Sequence, residues 1–249
     1  MTRIIAISNQ KGGVGKTSTT LNLGACLAER GKKVLMLDLD PQAHLSIKED
    51  IWLEGIDGLS FIKGEKELKS NGRDFNLIHS DLSLSSFESE FSNKLGRDQY
   101  LQRAIRKSEE EISKYDFVLI DTPPNLGVLT TNALTACNEV VIPVQTLEFA
   151  KQGLEIFLAM FKSVEEILNP NIKSWNVLCT MVDFRRKQDK EILEELKNEH
   201  KGHIFNTFIR TNSKVAESPR AQTDVLSYAK NRAQDYINLA GEVLKNDKN

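Results

Sequence analysis

The 249-residue chain predicts one α/β domain spanning residues 1–249, with a doubly wound, mainly parallel sheet and helices on both faces. Three observations predict it. Apolar runs of strand length alternate with stretches of helical length along the chain. A loop rich in glycine and lysine joins the first such run to the first helical stretch. The length suits a single domain with an ample core, and 40% hydrophobic with 27% charged residues is ordinary for a globular protein.

The elements follow in order. Arg3–Ser8 reads as a strand, and Thr17–Arg30 as a helix carrying Leu21, Leu23, Ala25, Leu27 and Ala28 and closed by Gly31. Lys33–Leu39 is a continuous apolar run, the pattern of a strand buried on both faces of a parallel sheet. The irregular stretch His44–Lys94, with Gly55, Gly58, Gly64 and Gly72, reads as surface elaboration around a strand at Asn76–Ser80. Further strands are expected at Phe117–Asp121, Glu139–Val144, Trp175–Met181 and His203–Ile209. Helices are expected at Arg97–Ser113, Leu126–Ala136, Gln152–Leu168, Lys187–His200 and Lys230–Leu244.

The loop is Lys11-Gly12-Gly13-Val14-Gly15-Lys16-Thr17-Ser18. It ends like the phosphate-binding loop G-x-x-x-x-G-K-[ST], but Gln10 stands where the plain template has glycine, and a lysine stands at each end. Between a strand and a helix, its glycines let backbone N–H groups turn inward onto a phosphate at the helix N-terminus. Lys16 would then reach the β- and γ-phosphates, and the Thr17 hydroxyl would sit on Mg²⁺. This places the fold among P-loop nucleoside triphosphatases.

Two strands end in acids. In parallel sheets ligands gather at the carboxyl ends of strands. Asp121 is therefore placed to hold Mg²⁺ through water. Asp38 and Asp40 lie two residues apart, and Asp40, beside Pro41, is expected to have left the strand and to be free to orient water.

With these residues in place the chain resembles the ParA-type partition ATPases, in the Soj/ParA branch of the deviant Walker A family. The matching segments are Asn9–Thr17, Leu37–Gln42 and Asp121–Gly127, then Thr131–Ala136, Val141–Gln145 and Ala216–Pro219. The resemblance implies an Mg-dependent ATPase that binds ATP and closes an ATP-sandwich homodimer. It makes Lys11 the signature lysine reaching the partner's nucleotide, Lys16 the phosphate lysine in cis, Asp40 the residue acting on the attacking water, and Asp121 the Walker B acid. It further implies nonspecific DNA binding, a ParB-like partner that stimulates hydrolysis, and partition of plasmid or chromosomal DNA by a cytoplasmic protein associated with the nucleoid when ATP-bound. The family's DNA-binding face falls on Arg185 and Lys214, and the local basic cluster adds Arg186 and Arg220 as DNA-binding candidates.

Some residues depart from the family pattern. Ser18 replaces a second threonine but keeps the hydroxyl, whereas Arg210 stands where many relatives have proline near the adenine. Asp183 and Asn212 follow strand ends, where each could flank the base or serve a structural turn. No N-terminal extension precedes the first strand, so no helix-turn-helix is expected.

The formal net charge of −2 excludes a polycation, so DNA binding must come from a local patch that dimerisation doubles. Cys26, Cys137 and Cys179 are scattered and read as small core residues in a reducing cytosol, not as bridging cluster ligands like those of a nitrogenase-iron-protein-like reductase. No transmembrane run or signal peptide is expected. A MinD-like membrane cycle would use a basic amphipathic tail, but Leu239–Asn249 is short, interrupted by Gly241 and weakly apolar. ParA-like positioning of a non-DNA cargo remains the alternative within the family.

Overall fold

The computed structural model describes residues 1–245. Seven strands form one sheet: β1 (Arg3–Ile7), β2 (Val34–Asp38), β3 (Trp52–Asp57), β4 (Phe75–His79), β5 (Phe117–Asp121), β6 (Glu139–Gln145) and β7 (Ser174–Thr180). Their order is β3-β4-β2-β5-β1-β6-β7, and every pair is parallel. The helices are α1 (Lys16–Ala28), α2 (Gly58–Ile62), α3 (Ser85–Phe91), α4 (Tyr100–Lys107), α5 (Glu109–Ile112), α6 (Val128–Ala136), α7 (Ala150–Ile167), α8 (Lys187–Glu199), α9 (Ser213–Glu217), α10 (Val225–Tyr228) and α11 (Gln234–Lys245).

The two-residue period of the strands sorts their side chains onto two cores. Leu35 and Leu37 of β2 and Val118 and Ile120 of β5 face one core, with Phe61, Phe87, Leu101, Leu129, Phe157 and Phe161. Val34 and Met36, with Phe117 and Leu119, face the other, where α1 and α11 pack through Leu23, Leu27, Tyr236, Leu239 and Val243. The apolar face of α11 is thus already buried against the sheet. The end of the Leu239–Asn249 tail, residues 246–249, lies outside the described residues.

Four sequence expectations need correction. His44–Lys94 is not surface elaboration. It supplies the edge strand β3, the helices α2 and α3, and the buried residues Leu53, Ile56, Phe61, Ile62, Leu84, Phe87 and Phe91. The strand escaped the sequence reading because Gly55 takes φ of 76° and the register with β4 shifts between Trp52 and Asp57, so the alternation is broken by a bulge. We expect Phe61→Ala to lower unfolding stability by about 3–5 kcal/mol in denaturant titration. A value under about 0.5 kcal/mol would return the segment to the surface.

His203–Ile209 is not a strand. It meets β7 through one isolated bridge, Val177↔Ile204, and through spaced backbone hydrogen bonds such as Ile209 N–H to the Cys179 carbonyl (2.8 Å), while a second bridge, Val182↔Arg210, joins the residues just beyond both. The Glu242 carboxylate accepts the N–H groups of Asn206 (2.7 Å) and Thr207 (2.9 Å), taking donors that a ladder would use.

The expected helix Arg97–Ser113 is divided. A 3₁₀ turn at Arg97–Gln99 precedes α4, and Ser108, with φ of −102° and ψ of 20°, separates α4 from α5. Likewise Lys230–Arg232 is a 3₁₀ turn, and α11 begins only at Gln234.

Candidate active site

The central strands β1, β2 and β5 deliver their carboxyl ends to one place, in the register Ile7↔Asp121 and Asp38↔Asp121. The loop after β1 crosses this edge and is braced from both sides. Asn9 donates through Nδ2 to the carbonyl of Pro143 (2.7 Å), while its Oδ1 accepts the N–H of Lys11 (3.0 Å). Thr180, at the end of β7, donates through Oγ1 to the carbonyl of Val14 (2.8 Å). Gly13 and Gly15 take φ of 73° and 89°, the left-handed region that a Cβ resists. Gly15 sits at the N-terminus of α1, whose first turn has no side-chain cap, so its N–H groups are left to a ligand.

The two lysines of the loop face different ways. Lys16 is 6% exposed, and its Nζ donates to the carbonyl of Lys11 (3.1 Å). Burial pushes its pKa down, opposed by the carboxylates of Asp121 and Asp40. Lys11 is exposed, and its ammonium has no hydrogen bond or ion pair among the described residues.

The acids divide their work. Asp38 is fully buried and accepts from the N–H of Asp40 (3.0 Å), the N–H of Ser46 (3.1 Å) and the Ser46 hydroxyl (2.7 Å). Burial pushes its pKa up to about 7, with the Ser46 and Asp40 donors pulling the other way. Asp121 is also fully buried. Its Oδ1 accepts from the Thr20 hydroxyl (3.3 Å), and its Oδ2 has no hydrogen-bond partner among the described residues. Burial and then the neighbouring Asp38 push its pKa well above the usual carboxylate range, offset by the hydroxyl of Thr17 and by Lys16. An orphaned carboxylate oxygen beside Thr17 is what a hydrated magnesium ion would satisfy, so this donor set fits the metal. Asp40 has left β2, and the N–H of Gln42 holds its Oδ1 (2.9 Å).

A carboxyl whose folded pKa is raised contributes stability while protonated and loses it as pH rises. Asp121→Asn should therefore raise the melting temperature of the nucleotide-free protein at pH 8 by roughly 2–4 °C, with the gain shrinking on acidification. A lower melting temperature for the variant at pH 8 would contradict this electrostatic reading.

The predicted basic residues are largely paired. Arg185 grips Asp183 (2.7 Å) and holds that carboxyl down at about 2, and Arg186 lies 3.9 Å from the same group. Lys214 pairs with Glu217 (2.7 Å) and lies over the Tyr228 ring. Arg220 is exposed, with no acidic partner among the described residues. Arg185 and Arg210 line one hollow, while Arg210, Lys214 and Arg232 line the next, so these cations follow one rim. Asp183 is engaged by Arg185, and the Asn212 side chain caps α9 by accepting from Lys214 N–H (3.0 Å). Arg210 is held by Asp235. The sequence reading gave no role to Asn9, Thr20, Ser46 or Thr180. Only Thr180, at a strand end, carried a positional signal.

Cys26, Cys137 and Cys179 are buried as core residues, and burial pushes each thiol up to about 12.

A glycine loop between a central parallel strand and a helix, an interior lysine at its end, and buried strand-end carboxylates define a P-loop nucleoside triphosphatase. A protein-family model described as an AAA domain matches residues 2–174. The chain is 36% identical to the sporulation initiation inhibitor protein Soj of Bacillus subtilis, over 99% of this chain and 100% of that one. It is 35% identical to the chromosome-partitioning ATPase Soj of Treponema pallidum, over 99% of both chains. It also superimposes, with a TM-score of 0.81 and 29% identity, on a Mycobacterium smegmatis structure described as cobyrinic acid a,c-diamide synthase with bound ATP analog and magnesium, covering 100% of this chain and 96% of that one. The chain belongs to the Soj/ParA family of chromosome-partitioning ATPases.

Proposed function

We propose that the protein is an Mg-dependent ATPase whose ATP-bound form is a sandwich homodimer that binds nonspecific DNA and partitions plasmid or chromosomal DNA. A ParB-like protein stimulates its hydrolysis. The observation that carries this reading is the division of the two loop lysines: Lys16 lies inside its own site, while the exposed Lys11 has no side-chain partner among the described residues.

In this scheme the N–H groups of Gly12 through Ser18 hold the phosphates, and Lys16 offsets charge on the transferred group. Thr17 and Asp121 would hold the magnesium ion, which when bound neutralises phosphate charge. Asp40 holds the attacking water by accepting its proton in a hydrogen bond. Lys11 crosses to the partner's nucleotide, so neither site is complete in a single chain. The DNA-bound dimer resides on the nucleoid within the cytoplasm.

Arg185, Arg186, Lys214 and Arg220 form the DNA-facing rim. Each chain alone offers few unpaired cations, and closure doubles them. Binding to a nonspecific duplex, measured with ADP, ATP and a non-hydrolysable analogue across a salt series, tests this. Tight binding is expected only with the triphosphates. Lys214→Ala in both subunits should flatten the salt slope by roughly 0.9 per lost phosphate contact. Equal affinity with ADP and ATP would contradict the switch. Among the described residues no helix is long and apolar enough to cross a membrane.

A further inference from the structure

The segment after β2 is held by a network that the catalytic scheme does not use. Asp38 accepts three hydrogen bonds: its Oδ1 takes the N–H of Asp40 (3.0 Å), and its Oδ2 takes both the N–H (3.1 Å) and the hydroxyl (2.7 Å) of Ser46. The Ser46 oxygen in turn accepts the N–H of Ser80 (2.8 Å), just beyond β4. One carboxylate and one hydroxyl thus join the exits of β2 and β4.

The turn they enclose is tight. The N–H of Ala43 donates to the carbonyl of Asp40 (2.8 Å), and Ala43 takes φ of 54°, a left-handed conformation rare for a residue with a Cβ. The N–H of Gln42 fixes the Asp40 carboxylate. Gly58 presses from outside, where an added Cβ would lie 3.0 Å from the Asp38 carbonyl. All three polar anchors are buried: Asp38 at 0%, Ser46 at 7% and Ser80 at 4% exposure.

We infer that Asp38 and Ser46 are positioning residues that fix where the Asp40 carboxylate points. This rests on the proposed action of Asp40 on the attacking water. Neither residue need touch nucleotide. Asp38 sets the backbone of Asp40, and Ser46 sets the second oxygen of Asp38 and closes the turn at its far end. The geometry separates the two buried acids: Asp38 has three donors and serves the turn, whereas Asp121 keeps an oxygen for a ligand. The strained Ala43 fits this role, because such a conformation persists only where its surroundings over-determine it.

The test compares single-turnover ATP hydrolysis and nucleotide affinity in Ser46→Ala, Ser46→Thr, Asp40→Ala and the Ser46→Ala/Asp40→Ala double variant. Displacing a reacting group by about 1 Å can cost on the order of 100-fold, so Ser46→Ala should hydrolyse about 10- to 100-fold more slowly. ATP affinity should be unchanged, and Ser46→Thr, which keeps the hydroxyl, should recover the rate. In the Asp40→Ala background Ser46→Ala should have no further effect, because the group it positions is gone. Asp38→Asn, whose amide in either orientation sets an N–H against the N–H of Asp40 or of Ser46, should slow hydrolysis in the same way.

Wild-type hydrolysis by Ser46→Ala beside a slow Asp40→Ala would overturn the inference and leave the role of Asp40 intact. Full additivity in the double variant, or loss of ATP affinity along with rate, would assign Ser46 to the general integrity of the site and overturn it as well. Wild-type hydrolysis by Asp40→Ala would instead remove the catalytic reading itself.

Discussion

Asp40→Ala is expected to hydrolyse ATP about 10²- to 10⁴-fold more slowly than the wild type, the range for losing a positioned proton acceptor. Its ATP-bound dimer should accumulate and stay on DNA. The carboxylate lies just beyond the end of β2, 6% exposed, with one oxygen held by Gln42 N–H. It is close enough to Lys16 for its charge to act on that ammonium. Removing it leaves the loop, Lys16, Thr17 and Asp121 in place, so binding and closure survive while water loses its acceptor. Rapid-quench hydrolysis together with a DNA-retention assay reads both halves of the expectation. A variant that hydrolyses normally, or that cannot bind ATP, would show that Asp40 acts elsewhere.

Lys11→Ala is expected to abolish ATP-dependent dimerisation while sparing nucleotide binding by the single chain. A symmetric closure uses the same contact twice. A hydrogen bond from a charged donor contributes about 1.5–3 kcal/mol, so losing two weakens the dimer by roughly 10²- to 10⁴-fold. Light scattering with a non-hydrolysable analogue should then find single chains at concentrations where the wild type is paired. Lys16→Ala makes the contrast: its ammonium is buried in its own site, so that variant should fail at nucleotide binding first. An unchanged dimer in Lys11→Ala would remove the lysine exchange from the scheme.

The parts of the site that lie close together in sequence were legible before the structure. Loop glycines, two lysines and strand-end acids declare themselves through residue type and position, because a phosphate needs N–H groups at a helix start and a metal needs oxygens at strand ends. The partners that hold those residues were not legible. Ser46 reaches Asp38 across eight residues and Ser80 across thirty-four, and Thr20 lies one hundred and one residues from Asp121. Such pairs are created by strand order, and strand order was readable only as a fold class.

The missed edge strand and the over-read seventh segment failed for opposite reasons. At β3 the bulge at Gly55 hid a real strand. At His203–Ile209 a strand-like run lost the backbone donors of Asn206 and Thr207 to Glu242, a residue of α11, which interrupts the ladder with β7. Likewise the basic residues were visible, but their pairing was not. Asp183 lies two residues from Arg185 and Glu217 three from Lys214, close enough to offset them in the closed turn and helix.

The most direct measurement is a crystal structure of the Asp40→Ala variant with ATP and magnesium. It should contain two chains face to face, the Lys11 ammonium of each lying on its partner's triphosphate. A triphosphate-bound single chain with Lys11 in solvent would contradict the account.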